Sequence, residues 1–448
     1  MKIKFAKVEN IFTLDVRSLA IFRILLGIYI VLDAIDKFSL VNPFFSDNGV
    51  IPRSMVDLSA IEYAYHLQIS LLSGSEWFGY IFLAILAIFG FLLIIGFKTR
   101  IVTVVCWLLF SSLIVRMDAI SNSGDTLLIV LLFWAMFLPL GARFSIDSRF
   151  EKFRIQKRVF SAAAIALYIQ FALVYITTGI FKGQFLSWHN GTHLYLTFSR
   201  FEYMNPIAFL IYPQYELLSF LTHFTLILEL FGPLLFFIPI FFLPFRMLGI
   251  ILFAGLQISI AITMKVAFFP ISSLAGILVF IPTEFWEKPI VKNWFYKLKE
   301  RFSSIMNRIE TADNVSKKHT INYKANIYAD MFVAVMAVYV LFWNLSEIPS
   351  PFSLPEAIKK PGYYLKLDQR WAMFSSTINY SYNYDVVAYY EVGLKKDLMK
   401  ELKKEYESVN GYKHITFKND RWRKLFSDQI TSVRTFFRID IKSASTVA

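Results

Sequence analysis

Residues 160–182 read FSAAAIALYIQFALVYITTGIFK: twenty-two positions without a charged side chain, closed by Lys182. A helix rises about 1.5 Å per residue, so about 20 apolar residues cross the roughly 30 Å of bilayer hydrocarbon. This stretch is long enough to span. Moving outward, comparable windows lie upstream at 126–141, 101–117, 77–97 and 18–37, and downstream at 217–243, 246–264, 268–282 and 327–345. The reading predicts about nine spans. The eighth window is short, the sixth is long with Pro233 inside it to kink it, and the ninth carries Asp330 ahead of the apolar run Met331 to Trp343.

Composition points the same way. The 448 residues are 56% hydrophobic and 18% charged, where soluble domains hold about 45–50% and about 25%. Soluble, fibrous and disordered classes are excluded, and the chain reads as a polytopic membrane protein in a lipid bilayer. The single cysteine, Cys106, excludes a disulfide framework and a cysteine-ligated metal cluster.

The formal charge of +13 is informative through its distribution. Short cytoplasmic loops collect Lys and Arg. The N-terminus holds Lys2, Lys4 and Lys7, and the second loop Lys98 and Arg100. The fourth loop holds Arg143, Arg149, Lys152, Arg154, Lys157 and Arg158, the sixth Arg246, and the eighth runs from Lys288 to Lys324. The first and third loops instead offer Asp47, Asp57, Glu62, Asp118 and Asp125. Nine spans with this alternation put the N-terminus in the cytoplasm and the C-terminal region outside a cytoplasmic (inner) membrane. Topology accounts for the basic loops, so no nucleic-acid partner is expected. No cleavable signal peptide, internal repeat or glycine-rich phosphate loop is predicted.

Residues 1–346 form the expected membrane domain and 347–448 a small soluble domain. In the latter, Asp385 to Val392 is β-rich and Val433 to Ile441 alternates as a strand does. Leu398, Leu402, Tyr406 and Val409 recur at the spacing of an amphipathic helix. The predicted fold is an all-α membrane bundle carrying a small α+β extracytoplasmic domain.

Within the fifth span, Tyr168, Tyr175 and Lys182 are spaced by seven, and Thr178 falls on the same face. A lysine sheltered at the end of such a stripe is a general base if desolvation frees its amine of the proton. The same residue can equally snorkel into the headgroups. Glu229 sits inside the sixth window with Thr222 and Thr225 on its face. A carboxylate at that depth costs about 2.5–3.5 kcal/mol on insertion scales unless paired, and Arg23 or another buried donor is a candidate partner. Asn122 to Asp125 make a polar turn that either caps the fourth helix or lines a site. Gln257 is explained by an interhelical hydrogen bond or by function. His189 and His193 stand i, i+4 without companion ligands, so no metal set is expected.

The chain carries, in order, Asp15-Val-Arg17-Ser-Leu-Ala-Ile-Phe22-Arg23, Phe45-Ser-Asp47-Asn-Gly49-Val-Ile-Pro52-Arg53, Gly96-Phe-Lys98-Thr-Arg100 and Asn122-Ser-Gly124-Asp125. Further along come Phe137-Leu-Pro139-Leu-Gly141-Ala-Arg143-Phe-Ser145-Ile-Asp147, Tyr175-Ile-Thr-Thr-Gly179-Ile-Phe-Lys182, Trp188-His-Asn-Gly191-Thr192, Glu229 and Leu367-Asp-Gln369-Arg-Trp371-Ala-Met373-Phe374. In this order the stretches resemble the HTTM membrane proteins, bacterial relatives of vitamin K-dependent gamma-glutamyl carboxylase. By alignment on Gly179, the resemblance implies that Lys182 is the catalytic base. It also implies a reduced quinone of the vitamin K type, with oxygen and carbon dioxide as co-substrates. Tyr175, Thr178, Trp188, Asn122, Asp125, Glu229 and Gln257 are the candidate substrate-binding residues. Two positions depart from the pattern: no histidine stands near Gly124 or Asp125 as in the carboxylase, and Gln257 stands where many members have histidine, a residue that can shuttle a proton. Two function classes follow. One is a carboxylase-like enzyme acting on a peptide or small substrate at the outer face. The other is a non-enzymatic protein that assists maturation, export or immunity of a secreted peptide. A transporter is disfavoured by the absence of repeat halves.

Overall fold

The computed structural model describes residues 8–56, 68–150, 154–155, 157–200, 203–293, 320–321, 323, 326–376, 387–389, 395–397, 403–407, 413–417 and 419–425. Nine helices occupy the predicted windows: α1 Val16–Phe38, α2 Glu76–Ile95, α3 Thr99–Arg116, α4 Ser123–Ala135, α5 Ala162–Lys182, α6 Tyr215–Phe231, α7 Phe242–Thr263, α8 Phe269–Leu278 and α9 Ile327–Glu347. Seven are long and apolar enough to cross a membrane, if α6 is taken with the 3-10 turn that continues it to Phe236. The other two, α4 and α8, are shorter than expected, and α4 has 13 residues, a rise of about 20 Å. Every residue from Leu127 to Ala135 is buried. A helix wrapped in other helices meets no hydrocarbon, so the bilayer does not set its length.

Helix starts follow local chemistry. Ser75 and Ser161 cap α2 and α5, while Asn122 and Asp125 form a reciprocal capping box on α4. Pro233 sits in the turn after Gly232, where α6 gives way to 3-10 helix, because proline has no N–H for the α ladder. α1 and α2 pack closely because glycines face each other. A Cβ on Gly27 would come within 2.7 Å of the Gly90 carbonyl oxygen, and one on Gly90 within 2.8 Å of Ile30. Around this core, α2, α7 and α9 turn apolar faces outward, including Ile81, Ile85, Ile88, Ile251, Ile258, Ile262, Val335 and Val338. Unpaired helical faces of this kind suit lipid.

The helices leave two ends to the bundle. At the first, where α1 begins, Arg17, Lys157 and Lys292 all pair with Glu287, and Arg158 pairs with Glu284. Leu14–Asp15 pairs antiparallel with Arg158–Val159, and Arg154–Ile155 pairs parallel with Thr320–Ile321. Arg246, expected in a loop, lies inside α7 and is fully buried. Its guanidinium faces the rings of Phe242 and Tyr168 at 4.7 and 4.9 Å and donates to the Ile11 carbonyl. Aromatic faces and a carbonyl give that cation the shelter that water gives a loop arginine.

After α9, α10 (Glu356–Leu365) leads into Leu367–Ser375, which folds back onto the bundle. Gln369 exchanges hydrogen bonds with Gln170 of α5, and Trp371 donates to Gln369. Two strand pairs follow, Val387–Tyr389 with Lys395–Asp397 and Lys403–Glu407 with Lys413–Phe417. The second corrects the amphipathic helix expected across Tyr406. That residue pairs with His414 in an antiparallel ribbon, so the backbone bonds of its segment go to a neighbouring β-rich run. The strand expected at Val433–Ile441 lies outside the described residues. The short helix α11 (Asp420–Lys424) then docks at the second end of the bundle.

Candidate functional site

Lys182 closes α5, and Glu229 lies near the end of α6. Gly179, one turn before Lys182, sits against Leu230, where a Cβ would come within 2.8 Å of the leucine side chain. That close approach brings the two polar groups together. Lys182 Nζ stands 2.6 and 2.7 Å from the two Glu229 carboxylate oxygens, with the residues only 4% and 5% exposed. The predicted partner Arg23 is not involved; it donates to the Ile94 and Phe144 carbonyl oxygens near the first end. The amine also faces the Trp188 ring at 4.7 Å. Lys182 therefore does not snorkel.

Trp188 stacks on His193 at 4.2 Å and donates from its indole nitrogen to the Phe374 and Ser375 carbonyl oxygens. Thus the segment after α9 covers the pair's aromatic wall. Burial, then the charge of Lys182 beside it, push the His193 imidazole down to about 3. His193 is neutral at physiological pH, with Nδ1 3.0 Å from the Ser187 hydroxyl. His189 instead contacts the Gly183 carbonyl oxygen. Among the described residues no cluster of three His, Cys, Asp or Glu side chains has the makings of a metal site.

Of the other predicted residues on α5, Thr178 donates to the Val174 carbonyl and stays within its own helix. Tyr175 accepts a hydrogen bond from Gln257 Nε2 at 2.9 Å, and its ring packs on Phe253 and Phe171. The Gln257 carbonyl oxygen is buried with no hydrogen-bond partner among the described residues, and the Ser273 hydroxyl lies against the Tyr175 hydroxyl. An orphaned buried acceptor is uncommon, and this one marks a place where a polar group is wanted.

Asn122 and Asp125 belong to a different cluster. Besides closing the capping box, Asp125 accepts from the Tyr29 hydroxyl at 2.9 Å and from Arg421 Nη1 at 2.7 Å, with Lys37 Nζ 3.7 Å away. Lys37 pairs with Asp33 at 2.5 Å, and Arg421 Nη2 reaches the same carboxylate. The capping reading of the polar turn is seen, and the same carboxylate also binds a cation of the chain. Sequence reasoning missed Asp33, Lys37 and Arg421. The first two stand i, i+4 inside the first apolar window, a visible signal, whereas nothing local marks Arg421.

The model of the HTTM domain family matches residues 12–286, more than half of the chain. The chain belongs to the HTTM-domain family. No curated protein and no solved structure matches it. The matched part of this HTTM-domain protein contains Lys182, Glu229, Trp188, Tyr175, Gln257, Asn122 and Asp125. The covering segment at Phe374 and the cation Arg421 lie beyond it.

Proposed function

We propose that this HTTM-domain protein is a quinone-linked, carboxylase-like enzyme acting on a peptide or small substrate at the extracytoplasmic face of the cytoplasmic membrane. The observation that carries the reading is the sealed Lys182–Glu229 pair between α5 and α6, walled by Trp188. The basic residues gathered at the first end support an N-terminus in the cytoplasm, with Lys182 toward the outer side.

As paired, Lys182 carries the positive charge and Glu229 the lone pairs. Glu229 accepts a proton from an acidic hydroxyl brought to the pair, and Lys182 holds the negative charge left behind. Glu229 is then the base, and Lys182 is the counter-charge that makes the transfer favourable. The residues fit a reduced quinone: the Gln257 carbonyl oxygen, unpartnered among the described residues, offers an acceptor beside the rings of Phe171, Tyr175 and Phe253. When bound, such a quinone supplies electrons that couple oxygen to removal of a weakly acidic C–H proton, with carbon dioxide as the group added.

The test uses membranes containing the full chain, vitamin K hydroquinone, oxygen, labelled bicarbonate and a glutamate-rich peptide. Label enters the peptide with the parent protein. Lys182→Arg loses it while the amount of folded protein is retained, because guanidinium does not reproduce the ammonium's placement on the carboxylate. Incorporation that survives Lys182→Arg defeats the reading.

One observation favours a second reading, a helper for a secreted peptide. Lys182 engages both oxygens of Glu229, and such a matched pair also holds two helices together without chemistry. Under this reading, deletion of the protein impairs export or processing of the peptide, and Lys182→Arg restores it.

A further inference from the structure

The bundle contains a second buried charge site that the proposed chemistry does not use. Asp33 and Lys37 stand one turn apart in α1, Asp125 opens α4, and all three side chains are fully buried. Two carboxylates facing one ammonium leave a negative charge unmatched away from water, an arrangement that protein interiors avoid. Arg421 matches it, and its own side chain is 1% exposed. Its Nη2 is 2.5 Å from Asp33 Oδ1, its Nη1 is 2.7 Å from Asp125 Oδ2 and 2.9 Å from the Ile120 carbonyl oxygen, and its Nε is 3.4 Å from Asp36 at the rim. One planar group thus reaches three carboxylates and a carbonyl. A lysine ammonium has neither the span nor the fork to do so.

The flanking residues seat the same segment. Trp422 packs on Phe44 with ring centroids 4.5 Å apart, Asn419 donates to Asp36, and Arg423 lies 3.9 Å over the Tyr203 ring. We propose that Asp33, Lys37 and Asp125 form a guanidinium-selective receptor, and that its ligand is Arg421 of the chain's own C-terminal segment, which locks that segment over the second end of the bundle. The receptor is built from α1 and α4, inside the matched family domain, and the ligand comes from outside it. The HTTM domain is therefore electrostatically complete only with the C-terminal segment in place. This inference does not depend on the proposed activity.

The experiment is chemical rescue of the full-length chain in detergent micelles. Arg421→Ala lowers the unfolding temperature and speeds tryptic cleavage at Arg423 and Lys424 by at least about tenfold, since the segment opens without global unfolding. Millimolar ethylguanidinium reverses both effects, and ethylammonium at equal concentration does not. Arg421→Lys behaves like Arg421→Ala. Where Arg421→Ala yields no folded protein, solubilisation with ethylguanidinium recovers it and ethylammonium does not. The proposal is overturned if Arg421→Ala matches the parent in cleavage, if the two additives act alike, or if Arg421→Lys keeps the segment protected.

Discussion

The Lys182–Glu229 pair and the Asp33–Asp125–Arg421 cluster are both buried charge sites, yet they are built on different plans. The first joins neighbouring helices through one ammonium and one carboxylate, with a tryptophan face against the amine. The second spreads two cations over two buried carboxylates, adds a tyrosine hydroxyl and a helix cap, and ties together three elements distant in sequence. In the second site both buried carboxylates are engaged by cations, and Asp125 also accepts from the Tyr29 hydroxyl and the Asn122 N–H. On the helix of the first site, Tyr175 holds Gln257, whose carbonyl oxygen has no hydrogen-bond partner among the described residues. The proposed chemistry at the first site and the proposed lock at the second rest on that difference.

The largest effect comes from breaking the pair. Glu229→Ala leaves an ammonium buried without its counter-charge and costs about 3–5 kcal/mol, read as a lower unfolding temperature in micelles. Lys182→Met combined with Glu229→Leu removes both charges and returns stability close to the parent, since apolar replacement of a buried pair is often neutral or better. Activity stays lost in the double variant. If the double variant regains both stability and function, the pair is structural and the contrast between the two sites disappears.

Next comes Asp125, where capping and cation binding separate by magnitude. Asn122→Ala removes a cap and costs about 1 kcal/mol. Asp125→Asn removes the cap's reciprocal half and one carboxylate of the Arg421 fork, and costs about 3 kcal/mol. Equal losses, measured by denaturant unfolding, would reduce the cluster to a helix start.

Much of this architecture was legible because charge in hydrocarbon is so costly. The nine windows, the alternation of basic loops and the oddity of Glu229 all follow from that one cost. Lys182 was legible through its spacing from Tyr175 and Tyr168. What spacing does not carry is partnership across helices. The sequence offered Arg23 or another buried donor for Glu229, and only the Gly179 contact shows which helix lies beside α6. The lengths of α4 and α8 were overestimated because a window of apolar residues does not reveal whether lipid or protein surrounds it. Arg421 had no signal at all, since its pocket exists only when α1 and α4 are assembled. Tyr406 was misjudged because helical spacing over four residues cannot compete with a strand partner elsewhere in the chain.

The pH response sharpens the contrast from the side of the aromatic wall. His193 titrates at about 3 in the fold against an ordinary 6.5. With the folded value depressed, the unfolded chain binds the proton first as pH falls. Stability is therefore complete above about 6.5 and declines below it, by at most about 1.4 kcal/mol per pH unit from this residue. His193→Gln flattens the unfolding temperature between pH 6.5 and 5 relative to the parent. An unchanged slope would mean that the imidazole beside Lys182 is already reachable by protons, and the site is wetter than its burial implies.

The smallest expected stability effect is the most discriminating. Gln257 gives one hydrogen bond to Tyr175 and leaves its carbonyl oxygen buried without a partner. In purely structural terms, Gln257→Leu loses a bond worth about 1 kcal/mol and also relieves an unsatisfied acceptor of similar cost, so the net change is close to zero. If that oxygen instead waits for a hydroxyl of the substrate or cofactor, the same variant unfolds like the parent yet loses label incorporation in the carboxylation assay. Gln257→Glu separates the cases further, because it retains an acceptor oxygen while replacing the amide that donates to Tyr175. A leucine variant with full activity would show that the Gln257 oxygen does not face a ligand, leaving Lys182 and Glu229 to act without it.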